Sequence, residues 1–382
     1  MNLRVVRPED DAVGGGHAAD SGVSPSVILL AIVFVGVLFG LTMLYSTSSG
    51  IGKGAQYFIK QSVWAVIGSI AGLCVYWIGY ERLSRYSLVI LSLAVAGLCA
   101  ALFFPEVNGA RRWIRFHSLS AQPSEFAKFA LVVYLGTLLS REQRRITTLE
   151  GVLPASMWCA LVLALVFVGD DLGTTILLAA VAALMFFVAG AAIRWLVLPQ
   201  IVLAPLGLFY VMHNPERWSR LTSFLDPEKV SASSGYQLWN SMLALGSGGW
   251  FGLGFAKSRM KEMYLPEAHT DFILSIVGEE LGFVGLACVI LGYAALTVAG
   301  MWISFRAKDR KGALMAFGAT ALLALQSLIN LGVVSGALPT KGMPAPFISY
   351  GGSNMLMALC CVGLLVSVDR ESCRETGFDG AA

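Results

Sequence analysis

Apolar runs of bilayer-crossing length, about 20 residues each, recur along this chain. They lie near 26–45, 61–79, 87–104, 126–140, 152–169, 172–192, 195–212, 271–304, 312–335 and 352–368. Lipid offers no partner to a backbone amide, so every run is expected to be a helix. The fourth run is short, and the eighth is long enough to be kinked or tilted. The pattern predicts an all-α integral membrane protein of about ten transmembrane helices, with a large extracytoplasmic loop between helices 7 and 8. Residues 1–25 are polar and glycine-rich and read as a disordered cytoplasmic tail. Residues 26–368 read as one polytopic membrane domain, followed by a cytoplasmic tail over 369–382. The first apolar run is too long for a signal-peptide core and lacks an evident cleavage site, so it reads as a retained span.

The connections fall into two classes. Counted from the N-terminal tail, the even loops (80–86, 141–151, 193–194 and 305–311) are short and basic, as cytoplasmic loops are. The odd loops (46–60, 105–125, 169–171, 213–270 and 336–351) include the long ones and are rich in Gly, Pro, Trp and Asn. An even number of spans puts both termini on the side of the basic loops. Even so, 14 of the 27 Lys and Arg lie on that side and 13 on the other. Arg111, Arg112 and Arg115 oppose the rule from a short outer loop, and binding an anion is the natural use for such cations.

Composition agrees with the pattern. The chain has 382 residues, 56% hydrophobic and 13% charged, against about 25% charged in soluble domains. A net charge of +3, spread over loops, gives no basic face for nucleic acid. The seven cysteines show no paired spacing for disulfides or zinc, and the four histidines show no metal-binding motif.

Four polar segments, all on the odd-loop side, carry candidate chemistry. In residues 108–130, Asn108-Gly109 marks a turn and Arg112 and Trp113 sit at the interface. Ser124 is placed to cap a helix, and Glu125 and Lys128 share one face of its first turn. In residues 169–175, one of Asp170 and Asp171 is explained as a helix cap and the other is not. In residues 264–285, Glu267, His269 and Asp271 stand where the chain enters the membrane. Asp271 near the dielectric boundary is expected to have a raised pKa, which suits a general base, while a plain N-cap is the competing reading. Glu279 and Glu280 lie two turns deeper, where an unpaired charge is costly, and Gly278, Gly282 and Gly285 suggest close helix packing. Residues 338–354 hold three prolines and three glycines, a backbone tolerated at membrane depth only inside protein or beside a cavity. Lys341 is its one charge, and Gln326 and Asn330 in the preceding span read as interhelical glue.

Taken together, NGARRWI, QPSEFAK, YLPEAHTDFI, GEELG and LPTKGxxxPFISYGGS resemble the SEDS family, which includes the FtsW, RodA and SpoVE branches. The resemblance runs over about residues 27–368, with the motifs in the family's order and in forms nearer FtsW than RodA. It implies ten helices with both termini cytoplasmic, in the plasma (inner) membrane. It further implies a peptidoglycan glycosyltransferase that polymerises lipid II for septal synthesis in cell division. The expected partners are a class B penicillin-binding protein, which supplies the transpeptidase, and other division proteins. The family's essential aspartate falls on Asp271, and its Glu and Lys fall on Glu125 and Lys128. The sequence departs from the family at Gly169-Asp170, where Gln-Pro is usual, and at Ala256 and Met260.

On this reading Asp271 is catalytic, and Arg112, Glu125, Lys128, Lys341 and His269 bind substrate. No cofactor is assigned; a divalent cation, magnesium or manganese, is the candidate to assist at the diphosphate. A lipid II flippase and a non-catalytic division scaffold are the alternatives.

Overall fold

The computed structural model describes residues 24–49, 54–106, 109–116, 119–141, 146–230, 233, 235–261, 265–340 and 342–378. Each of the ten apolar runs is a helix. They are α1 (Pro25–Ser49), α2 (Gly54–Ile78), α4 (Ser87–Ala101), α5 (Pro123–Arg141), α6 (Leu149–Val168), α7 (Leu172–Val188), α8 (Ile193–His213), α11 (Ile273–Phe305), α12 (Arg310–Val334) and α13 (Gly352–Phe378). Among the described residues, α1, α2, α6, α11, α12 and α13 are long and apolar enough to cross a membrane, and α4 and α7 are shorter apolar helices. The chain is a multi-pass membrane protein.

The connections hold structure that the hydrophobic pattern does not announce. A short α3 (Tyr80–Arg85) fills the first basic loop, and β1 (Ile114–Phe116) and β2 (Leu119–Ala121) form an antiparallel hairpin in the 105–125 loop. Among the described residues this ribbon is the one strand pairing in a mostly helical chain, and three-residue strands are too short to show an alternating pattern. Within the 213–270 loop lie α9 (Pro215–Leu225) and α10 (Tyr236–Ser247). Asn214 caps α9, accepting from the Arg217 amide at 3.3 Å, with Pro215 at the first turn. The helix α13 continues through the first residues of the 369–382 segment, to Phe378.

Burial sorts the helices. Two thirds or more of the apolar windows of α12 and α13 are buried, 67% and 72%, against 17% for α11 and 22% for α2. Together with α5, which is buried along most of its length, α12 and α13 form the inside of the bundle. Small residues let backbones meet there: a methyl group on Gly363 of α13 would stand 2.1 Å from the Gly72 carbonyl oxygen of α2.

The long α11 is broken at Gly282, whose φ of 68° and ψ of −166° only glycine adopts without strain. The freed backbone groups bond to the 249–254 turn. The amides of Leu253 and Gly254 donate to the Glu279 and Glu280 carbonyls at 3.0 Å, and those of Phe283 and Val284 donate to Gly249 and Trp250 at 2.8 and 3.1 Å. Gly282 therefore serves a break filled by a loop rather than the helix–helix packing expected of it.

Candidate active site

The 265–272 segment is a run of turns ahead of α11. Leu265, Ala268, Phe272 and Ile273 are buried in an apolar cluster with Met43, Val333 and Ile348, which leaves Glu267 exposed and His269 and Asp271 half-buried. The helix starts at Ile273 and its N-cap is Phe272, without a side-chain cap bond. Asp271 is thus not a cap, and its carboxylate is left for other work.

Two partners fix Asp271. The Asn330 side-chain amide of α12 donates to the Asp271 backbone carbonyl at 2.8 Å and to the Met343 carbonyl at 2.7 Å. A methyl group on Gly342 would lie 3.0 Å from Asp271 Oδ2, so the backbone at Gly342 lies against the carboxylate. Burial pushes the Asp271 carboxyl up to about 7, helped by Glu267 and Asp171 and opposed by Arg112. His269 stacks on Tyr57 at 4.7 Å between ring centroids, and its backbone carbonyl accepts from Tyr350 at 3.0 Å. Its pKa is lowered by burial, against the pull of Glu267.

Arg112 enters from the strand side. It stands 3.6 Å from Asp171 Oδ1, and its buried Nε has no hydrogen-bond partner among the described residues. Asp171 caps α7 through the Thr174 amide at 3.2 Å. It also accepts from Gln122 Nε2 at 2.9 Å and Ser124 Oγ at 3.2 Å. Ser124 therefore is not a helix cap as expected: α5 already begins at Pro123, and the hydroxyl turns to Asp171. Asp170 has a left-handed φ of 67° and points elsewhere, pairing with Arg217 and accepting from the Tyr210 hydroxyl. The two adjacent acids are divided between the site and the α8–α9 junction.

Glu125 and Lys128 are both buried and bonded to each other at 2.7 Å. Lys128 also donates to Gln326 Oε1 at 3.1 Å, and Gln326 Nε2 donates to Asn354 Oδ1 at 2.7 Å and to the Pro344 carbonyl at 2.9 Å. Glu125 and Lys128 thus lie beneath the 338–351 segment rather than open to solvent. The structure brings Asp271, Arg112 and His269 to one end of the bundle, with the Glu125–Lys128 pair in its interior. Lys341 and Asn108 lie outside the described residues. Sequence reasoning passed over Gln122 and treated Gln326 and Asn330 as glue between helices. Gln122 serves Asp171; Gln326 and Asn330 are glue, but to an irregular loop, and the signal was two amides inside a span facing a segment unable to satisfy its own backbone.

Among the described residues no three acidic, histidine or cysteine side chains converge as a metal cluster.

Residues 25–374 match the family model described as "Cell cycle protein", which spans FtsW, RodA and SpoVE. The "Probable peptidoglycan glycosyltransferase FtsW" of Trichlorobacter lovleyi is 36% identical over 352 residues, covering 90% of this chain and 92% of that protein. "Stage V sporulation protein E" of Bacillus subtilis is 35% identical over 359 residues, covering 91% and 98%. A chain from a peptidoglycan synthase complex, solved to show how polymerization and crosslinking are coordinated, superposes with a TM-score of 0.75 at 25% identity, over 91% of this chain and 97% of that one. The rod shape determining protein RodA of Thermus thermophilus superposes with a TM-score of 0.68 at 24% identity, over 90% and 96%.

Proposed function

Because the chain belongs to the cell cycle protein family of FtsW, RodA and SpoVE, we propose that it is a peptidoglycan glycosyltransferase that polymerises lipid II into glycan strands in cell division. The observation that carries this reading is the Asp271 carboxyl. It is half-buried at the mouth of the bundle, raised to about 7 by burial and within the field of Arg112.

Lipid II is a disaccharide on a polyprenyl diphosphate, so its sugar stands outside while its tail stays in lipid. Asp271 takes the proton from the acceptor sugar's 4-hydroxyl as that oxygen attacks the donor's anomeric carbon. The bond from that carbon to the diphosphate breaks, and polyprenyl diphosphate leaves with the electron pair. A single displacement inverts the anomeric centre. A base with a pKa near the working pH is the effective kind, and such help is worth roughly 10²–10⁴-fold. Arg112 meets the charge that grows on the leaving diphosphate, and His269 lines the same mouth against Tyr57. Glu125 and Lys128 act from beneath by holding Gln326 and so the segment against Asp271. Lys341, next to Gly342, is the further cation of that segment. A divalent cation, if bound, would be held mainly by the substrate diphosphate and would supply charge neutralisation.

In this reading all ten apolar helices span the plasma membrane, both termini are cytoplasmic and the short basic loops face inward. The likeness to a chain of a peptidoglycan synthase complex supports a class B penicillin-binding protein as partner. A flippase would need a free polar path through the bundle; Gln326 and Asn330 are instead engaged by the 338–354 segment.

The test is polymerisation of purified lipid II by the wild-type complex and by Asp271→Asn. Glycan product from the wild type and none from the folded variant is expected. Full polymerisation by Asp271→Asn would end the general-base assignment, and translocation without product would favour the flippase.

A further inference from the structure

Two carboxylates that this mechanism does not use lie deep in the protein. Glu279 and Glu280, in α11 just before the Gly282 break, are 1% and 0% exposed. Such groups are expensive unless fully satisfied, and here both are. Glu279 accepts from the Arg259 amide at 2.9 Å, from the Met260 amide at 3.4 Å and from the Ser258 hydroxyl. Glu280 accepts from the amides of Ala256 and Ser258 at 3.0 and 3.3 Å, from Ser46 Oγ of α1 at 2.8 Å, and from Lys261 Nζ at 3.0 Å. Lys261 is itself buried.

Every one of these donors but Ser46 comes from residues 256–261, at the far end of the segment that carries Glu267, His269 and Asp271. The Lys261–Glu280 ion pair therefore ties the chain ahead of the 265–272 turns to α11 behind them, with Asp271 midway in sequence between the two. Met260 continues the closure, its carbonyl accepting from the Leu265 amide at 2.9 Å. Closing such a loop removes conformational freedom that the reactive carboxylate would otherwise have, and placement errors of about an ångström at a catalytic group cost rate steeply. Because the clasp also reaches Ser46, it ties the loop to α1 and hence to a second wall of the bundle.

We propose that Lys261, Ser258, Glu279 and Glu280 form a buried clasp that positions Asp271 for proton abstraction. The clasp does not touch substrate; its members are positioning residues. This inference rests on the glycosyltransferase reading, and its test separates the two. The groups that set Asp271's own titration are Glu267 on the same loop, Asp171 at the α7 cap and Arg112 from the 105–125 loop, and none of them belongs to the clasp. Loosening the clasp should therefore alter the titration of Asp271 by letting water reach it, not by removing a neighbouring charge.

The experiment compares wild type, Lys261→Met, Lys261→Arg and Ser258→Ala, each purified with its transpeptidase partner, by lipid II polymerisation against pH and by amide hydrogen exchange over 265–272. Lys261→Met should lower kcat at least about tenfold, move the lower pH midpoint below that of wild type, and speed exchange in that segment. Lys261→Arg, which keeps the charge, should restore the wild-type midpoint and most of kcat. If Lys261→Met does not assemble in the membrane, Ser258→Ala, which removes one hydroxyl, carries the same readouts with a smaller shift. Loss of rate with an unchanged midpoint and unchanged exchange, or no change in any variant, would overturn the clasp. A wild type that makes no glycan from lipid II would instead sink the function on which the clasp depends, while the exchange result would still report whether the loop had been freed.

Discussion

Asn330 and Asp271 are joined through the backbone: the Asn330 amide nitrogen donates to the Asp271 carbonyl at 2.8 Å and, with its other hydrogen, to the Met343 carbonyl at 2.7 Å. One side chain of α12 thus fixes the base of the reactive carboxylate and the segment that lies against it. Replacing Asn330 by Ala takes the donor from the half-buried Asp271 carbonyl and from the buried Met343 carbonyl, the latter at about 1–3 kcal/mol. The expected outcome is a lower Tm and a fall in kcat larger than any rise in KM, because the loss is of placement and not of a substrate contact. Steady-state polymerisation kinetics alongside thermal melting in detergent would check this.

The raised carboxyl of Asp271 gives a pH dependence with a definite sign. As a base it works ionised, so kcat/KM should rise about tenfold per pH unit below about 7 and level off above it. Its effect on stability runs the other way. The folded protein holds this proton above the pH at which an unfolded chain loses it, so ionisation costs stability as pH climbs from the ordinary carboxylate range through about 7. Asp271→Asn should therefore melt higher than wild type at pH 8, with the gap closing toward pH 4. A wild-type protein with the higher melting temperature at pH 8 would show that the carboxylate is stabilised where it stands.

Arg112 is placed to meet negative charge: it sits 3.6 Å from Asp171 with a buried Nε that has no partner among the described residues. Arg112→Ala should leave the bundle intact and cut kcat by roughly 10²–10³, the usual effect of removing one donor to a developing charge. Unchanged kinetics in a stable variant would reduce Arg112 to an interface anchor.

Glu125 and Lys128 form a buried pair, so removing one partner should be worse than removing both. Lys128→Met strands the Glu125 charge and should cost about 3–5 kcal/mol. The double variant Glu125→Gln with Lys128→Met should recover most of that stability. If polymerisation returns with it, the pair supports the site only by holding Gln326; if stability returns and activity does not, the Lys128 charge itself serves the reaction. Melting curves and lipid II turnover on the three proteins decide between them.

The sequence alone determined the ten helices, because lipid leaves the backbone one way to satisfy itself and the apolar runs are long enough to register. It also marked Asp271, Arg112, Glu125 and Lys128, since charges at the ends of apolar runs are too costly to be incidental. The break in α11 was legible as an over-long run, though not its site: Gly278, Gly282 and Gly285 look alike until the 249–254 turn is seen bonded across one of them. Only the tertiary structure divided Asp170 from Asp171, because neighbours in sequence part company when the backbone between them turns left-handed. Only it could show that Glu279 and Glu280 are matched by Ser258 and Lys261, or that Asn330 reaches both Asp271 and Met343. Those partners lie up to dozens of residues apart, and hydrophobic periodicity carries no information about which polar groups meet once the helices have packed.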